Sequence, residues 1–414
     1  RTHASRCLHD AARRSSVAVE VTAPSTPSPR RRHTTTMGEM ISSLTGGEAN
    51  YAIIGCGVEG RGMGWYHALQ LLNGEIPRAR LSDVVEPFFL GAGKDLPPGK
   101  AFAEMAAKWK AKGVQFHASV DSGSLFSKAT AGPKITLIAG RTCDNPGFFR
   151  QAIKAGATHI LLEKPGAPTV GELEAMAREA KAAKVPVYMG FIKNISGYVE
   201  GALAAANGAA GAEAVETKLV SRNDYTEATL QECFERNAEG MLKNMAIHEL
   251  ALLATYYGVT VDNIESVVPD AEYSRCLTLT GPSGKEFTDF AKVGFTVTTK
   301  DGKTVTVKAD RCGDPGGGGG SIASVSIDGV EKAAFETPDD ALKKVCEAKA
   351  KEDPEMMPYF FLQSDDYITL KERATAHILS GKPGAPEGMA TIDIAVEALK
   401  CAEYLTPMLQ AALK

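Results

Sequence analysis

The sequence predicts an α/β protein, with an N-terminal doubly wound parallel sheet and a C-terminal α/β domain built on a large open, mostly antiparallel sheet. Three observations predict it. Short apolar runs alternate with segments of helical period over residues 51–191, as in strands joined by crossover helices. A glycine-rich turn follows the first of those runs. From Ile264 onward β-rich runs flank Lys-Asp-Gly-Lys and Asp-Gly, which are hairpin signals. With 414 residues the chain can bury two cores. The reading assigns residues 47–190 to the first domain and 191–414 to the second, with residues 1–46 a disordered lead.

The first strand, Tyr51–Ile54, runs into GCGVEGRGMGWYHALQLL. Gly55, Gly57 and Gly60 supply G-x-G-x-x-G between a strand and a helix, the fingerprint of a Rossmann dinucleotide site. The first glycine permits the turn, the second lets a pyrophosphate approach, and the third lets the helix pack close to the strand. Gly55, Gly57, Val58, Glu59 and Gly60 are therefore the candidate phosphate-facing residues, at the positive end of the following helix. The second strand, ARLSDVVEP, ends in Glu86, placed to accept hydrogen bonds from ribose hydroxyls and to repel a 2′-phosphate. This favours NAD as cofactor, with NADP as the alternative; Asp83 is a rival for the same role.

A helix over 101–112, a strand over 134–142 and a helix over 145–155 follow, and then the strand THILLEKP. Thr169 and Glu172 form a T-x-x-E capping box ahead of a helix with Val170, Leu173, Met176, Ala177 and Ala180 on one face. VPVYMGF, residues 185–191, is the last strand before the chain leaves this domain. In a doubly wound sheet ligands lie outside the carboxyl ends of the strands, so Glu163 and Lys164 fall where a ligand sits.

GCGVEGRGMGWYH followed by ILLEKP resembles the glucose–fructose oxidoreductase, inositol 2-dehydrogenase and MocA (Gfo/Idh/MocA) family, from about Tyr51 to the C-terminus. The resemblance implies a nicotinamide-dependent enzyme with a Rossmann domain and a C-terminal α/β domain, often dimeric or tetrameric, acting on sugars, cyclitols or related polyols. It implies that Lys164 contacts substrate and nicotinamide ribose, and that Glu163 supports that lysine. It also implies an acid/base histidine on an Asp-x-x-x-His helix. The matching stretch, GMLKNMAIHELALLATYYG, gives His248 but replaces the aspartate by Asn244, which cannot exchange a proton. Where relatives often carry an arginine after the strand beyond EKP, this chain offers Lys193 and Asn194.

The residues make a parallel argument. On one helix Asn244 and His248 share a face, and that helix is apolar nearly all round, so its polar groups need partners that a substrate cleft supplies. A histidine suits the proton step, and Lys164 suits stabilising developing charge. Lys193, Arg236 and Asn244 are the candidate substrate-binding residues; Arg222 or Arg236 would suit an acidic substrate. His67 reads as part of a helix face, and His117 and His159 as structural.

Composition narrows the function classes. Net charge is −4 overall; the first 36 residues hold seven Arg against one Asp and one Glu, leaving about −9 for the rest. That charge attracts neither nucleic acid nor an anionic membrane, and no apolar stretch reaches the ~20 residues of a membrane span. Eight scattered cysteines without a CxxC pair fit a reduced, cytoplasmic setting and point to no metal site. The Arg/Ser-rich lead is read as sequence upstream of a start at Met37; a transit peptide to an organelle is the alternative. The expected function is an NAD(P)-dependent oxidoreductase on a small polar substrate, working as a homodimer or homotetramer through the C-terminal sheet. Its rivals are a non-catalytic dinucleotide-binding regulator and a hydrolase or lyase that recycles bound NAD.

Overall fold

The computed structural model describes residues 47–120, 123–209, 214–354 and 356–413. The expectations for residues 1–46 fall outside the described residues. The first sheet holds β1 (Ala49–Ile54), β2 (Ala79–Val85), β3 (Gln115–His117), β4 (Lys134–Ile138), β5 (His159–Leu162) and β6 (Val187–Met189). All pair in parallel, in the order β3-β2-β1-β4-β5-β6. Helices α1 (Met63–Leu72), α2 (Pro97–Ala111), α3 (Asn145–Lys154) and α4 (Val170–Ala183) make crossovers. The order reverses between β1 and β4, which opens a crevice at the carboxyl ends of those strands. At the start of α4 the Thr169 hydroxyl oxygen accepts from the Glu172 N–H at 3.3 Å and donates to the Glu172 carboxylate at 2.9 Å.

The chain leaves this sheet through α5 (Gly197–Asn207) and enters β7 (Val215–Arg222), then α6 (Leu230–Arg236), α7 (Met241–Asn244) and α8 (Ile247–Tyr257). The remaining strands are β8 (Ile264–Pro269), β9 (Arg275–Thr280), β10 (Glu286–Thr299), β11 (Thr304–Asp310), β12 (Gly320–Ile327) and β13 (Val330–Thr337). They form a seven-stranded sheet in the order β13-β12-β7-β11-β10-β8, with β9 also on β10. Of its pairings only β7 with β11 is parallel. The second sheet is thus mostly antiparallel, as expected. Both hairpins form; Asp328 and Gly329 turn at φ +51° and +75°, the left-handed pair that a two-residue hairpin needs. β7 was not expected. Its buried face offers only Thr217, Leu219 and Ser221, too little apolar signal to mark a strand.

The closing helices α9 (Asp340–Glu352), α10 (Pro358–Leu362), α11 (Ser364–Ser380) and α12 (Ile392–Ala412) return towards the first sheet. One core runs from Ile160 and Leu162 of β5 through Met176 of α4 and Leu399 of α12 to Val293 and Phe295 of the second sheet. On the other face of the first sheet, Tyr51, Trp65 and Phe102 pack with Phe360, Tyr367 and Leu370. The edge strand β6 is covered too: the Met189 N–H donates to the Ala390 carbonyl at 2.9 Å. No helix among the described residues is long and apolar enough to cross a membrane.

Candidate active site

After β1 the chain turns on Gly55 and Gly57, at φ +80° and +73°. A Cβ on Gly55 would lie 2.6 Å from the Cα of Gly140, so only glycine fits. Gly60, expected to let the helix approach the strand, does something else: a Cβ there would meet nothing within 4 Å. The close approach comes four residues later, where a Cβ on Gly64 would lie 2.2 Å from the Gly55 carbonyl oxygen. The reason is a longer turn. The Arg61 and Gly62 N–H groups both bond back to the Val58 carbonyl, at 3.2 and 3.1 Å, and α1 begins only at Met63.

Glu86 follows β2, is buried, and accepts from the Gly57 N–H at 2.9 Å and the Phe88 N–H at 3.2 Å. Its rival Asp83 is fully buried against His117 Nε2 at 2.7 Å and does not line the cavity that Glu86 lines. Gly55, Gly57, Glu86, Phe88, Gly140 and Arg141 help enclose a cavity of about 750 Å³. Val58, Glu59 and Gly60 stand on the turn beside it, with the Glu59 side chain exposed. The N-terminus of α1 has no side-chain cap and no acidic residue in its first turn, which leaves its positive end to an anion.

A second cavity of about 330 Å³ lies where the end of β5 meets the helices of the second half. Glu163, Lys164, Lys193, Asn244 and His248 all line it. The Lys164 ammonium donates to the Asn244 carbonyl oxygen at 3.3 Å, and burial lowers its pKa below that of a free lysine despite the nearby Glu163. Asn244 and His248 do not share one helix. The Met245 and Ala246 N–H groups both bond to the Met241 carbonyl, at 2.9 and 3.0 Å, so α7 stops and α8 restarts one residue out of step. The two side chains reach the same cavity from consecutive helices. Burial, then the charges of Lys164 and Lys193, push the His248 pKa well below its ordinary value, which favours the uncharged imidazole. Its Nδ1 is buried with no hydrogen-bond partner.

The Lys193 ammonium lies 2.6 Å from the buried Glu249 carboxylate and 2.9 Å from the Ser221 hydroxyl. The Asn244 amide donates to Glu239 at 2.8 Å. Arg236, expected at the substrate, is exposed and held by the Tyr225 hydroxyl at 2.8 Å and Glu232 at 3.1 Å. Position 236 ends a short surface helix, which turns its side chain away from the cavity; Arg222 lines the wall instead. Among the described residues no three His, Cys, Asp or Glu side chains group to hold a metal.

Residues 94–191 match a family model described as the Gfo/Idh/MocA oxidoreductase family with an NAD-binding Rossmann fold. The family resemblance holds. The match covers the segment that carries β3 to β6, including the Glu163-Lys164-Pro165 motif. Solved structures share the wider fold. A myo-inositol dehydrogenase from Corynebacterium glutamicum is 19% identical, with a TM-score of 0.61, over 88% of this chain and 97% of that one. The scyllo-inositol dehydrogenase from Lactobacillus casei, solved with NAD(H) and scyllo-inositol, is 14% identical at TM-score 0.61, over 87% and 96%. Myo-inositol 2-dehydrogenase from Lactobacillus plantarum is 17% identical at TM-score 0.58, over 88% and 97%. No curated protein matches the chain in sequence.

Within this site Glu163 makes contacts beyond Lys164. Its carboxylate does not hydrogen-bond the Lys164 ammonium; it accepts from the Lys164 backbone N–H at 3.3 Å and pairs with His67 Nε2 at 3.0 Å. His67, read as part of a helix face, is fully buried. Behind it stands Lys371 of α11, also fully buried, with Nζ 3.1 Å from His67 Nδ1. Burial draws His67 down to about 4, with Lys371 adding to the shift, and draws Lys371 down to about 7. Sequence reasoning missed Lys371 because its partners lie some 300 residues away. For His67 a signal was present: Gly64 and His67 lie in the same quoted stretch, one helical turn apart.

Proposed function

We propose that the chain is an NAD(P)-dependent oxidoreductase acting on a small hydroxy or keto compound such as a sugar or cyclitol, with NAD preferred. The observation that carries this is the meeting of Lys164 and His248 in one cavity at the carboxyl edge of the sheet that also holds Gly55, Gly57 and Glu86. The residues of the larger cavity suit a dinucleotide: a glycine turn open to phosphates, an uncapped helix start, and a carboxylate where a ribose would lie. A bound nicotinamide supplies hydride transfer at its C4.

The chain's own residues do the rest. Lys164, with its pKa lowered by burial, can hold a substrate oxygen and stabilise the charge that develops on it. His248, whose surroundings favour the uncharged ring, can take a proton from a substrate hydroxyl at a ring nitrogen. Asn244 binds by hydrogen bonds only, so the proton step rests on His248. Lys193, neutralised by Glu249, offers a donor without excess charge.

The test is to incubate the protein with NAD and a panel of cyclitols, sugars and sugar acids while following nicotinamide reduction. Wild type should reduce NAD with at least one, and Lys164→Met should lower kcat/KM by 100-fold or more. Turnover unaffected by Lys164→Met would refute the assignment.

A further inference from the structure

The buried pair behind Glu163 goes beyond the assignment of the cavity. Three acceptors surround the Lys371 Nζ: Gln70 Oε1 at 2.6 Å, the Tyr367 carbonyl oxygen at 2.8 Å and His67 Nδ1 at 3.1 Å. An ammonium has three protons and no lone pair, so it satisfies all three and requires His67 Nδ1 to be bare. A neutral ring must then carry its proton on Nε2, which faces Glu163 Oε1 at 3.0 Å. Gly190 makes room for the carboxylate, since a Cβ there would lie 2.6 Å from Oε1.

We propose that Lys371 is a positioning residue for the cavity: it fixes the His67 proton on Nε2 and, through that ring, holds Glu163 as an oriented carboxylate beside Lys164. The inference rests on the oxidoreductase reading for its purpose, but the hydrogen-bond order stands on geometry alone. It makes the charge arrangement at the end of β5 depend on α11, contributed by the far end of the chain. The other groups facing the three are Lys164 from the end of β5, Glu75 from the turn after α1, Tyr359 of α10 and Tyr367 of α11. With His67 drawn to about 4 and Lys371 to about 7, the order ammonium, neutral imidazole, carboxylate is populated at pH 6.

The experiment is ¹⁵N-histidine NMR of the full chain at pH 6, with His67 assigned by the signals lost in His67→Gln. Wild type should show a bare Nδ1 and a protonated Nε2, and Lys371→Met should abolish that fixed pattern. A proton on Nδ1, a doubly protonated ring, or a pattern unchanged in Lys371→Met overturns the proposal. If Lys371→Met fails to fold, the wild-type tautomer still decides. An NADH titration of the same wild-type sample keeps the two ideas apart. Loss of binding there removes the oxidoreductase reading, whereas the wrong tautomer removes only the role of Lys371.

Discussion

Gly190 and His67 are the single residues on which Glu163 most depends. A Cβ at Gly190 would lie 2.6 to 2.9 Å from the Glu163 carboxyl atoms, so Gly190→Ala must displace that side chain. Overpacking of this kind costs about 1–3 kcal/mol, to be read from urea unfolding. His67 gives a pH signature. Its pKa is about 4 in the fold against 6.5 for the free side chain, so between those values the unfolded chain binds a proton that the native one does not. Stability is therefore lost as pH falls from 6.5 to 4, by up to about 3 kcal/mol. Lys371, drawn to about 7, is mostly protonated across that window and adds only a smaller slope of the same sign near pH 6.5. His67→Gln should flatten the acid limb; an unchanged limb would mean that other groups cause it. Lys164, His248 and Glu86 could be located from sequence because each sits at a strand end or on a helix with a strong apolar pattern. Lys371 could not, because nothing local to it tells which neighbours it will meet, and for the same reason the sequence offered Arg222 and Arg236 without deciding which lines the cavity.

Among the elements, five of the six parallel strands were legible because each is a short apolar run closed by glycine, proline or a capping residue; β3, only Gln115–His117 with one apolar side chain, carries no such run. The reading ran long by a few residues at several carboxyl ends; β5, for instance, stops at Leu162, before Glu163 and Lys164. Those ends are where the chain leaves the ladder to form the site. The apolar stretch around His248 was read as one helix because hydrophobic period is blind to a shared acceptor such as the Met241 carbonyl. Capping was easier to see. Thr169 bonds both the N–H and the side chain of Glu172, so Thr169→Ala should destabilise α4 and cost about 1 kcal/mol in unfolding free energy. A loss near zero would mean that packing of Leu173 and Met176 alone sets that helix start.

On the scale of the whole molecule, the C-terminal helices pack against both sheets, and the cavity lined by Lys164 and His248 is framed by Tyr359, Leu362 and Tyr367 of those helices together with Gly318 and Gly319 of the glycine-rich loop before β12. The second sheet turns one face to that core. The other carries the cross-strand pairs Thr296–Thr306, at 2.8 Å, and Thr298–Thr304, at 3.4 Å, with half-buried Val220 and Ile322 in the neighbouring row. We expect that face to pair with a second copy, so that sedimentation equilibrium gives a dimer or tetramer; a monomer at all concentrations would exclude it. The central claim is that the glycine turn and Glu86 hold a dinucleotide that serves the Lys164–His248 cavity. Fluorescence titration with NADH and NADPH, on wild type and Glu86→Ala, tests it most directly. The account predicts saturable NADH binding, weaker NADPH binding, and a smaller difference between the two in Glu86→Ala. If neither dinucleotide binds, and none copurifies with the protein, the account is contradicted.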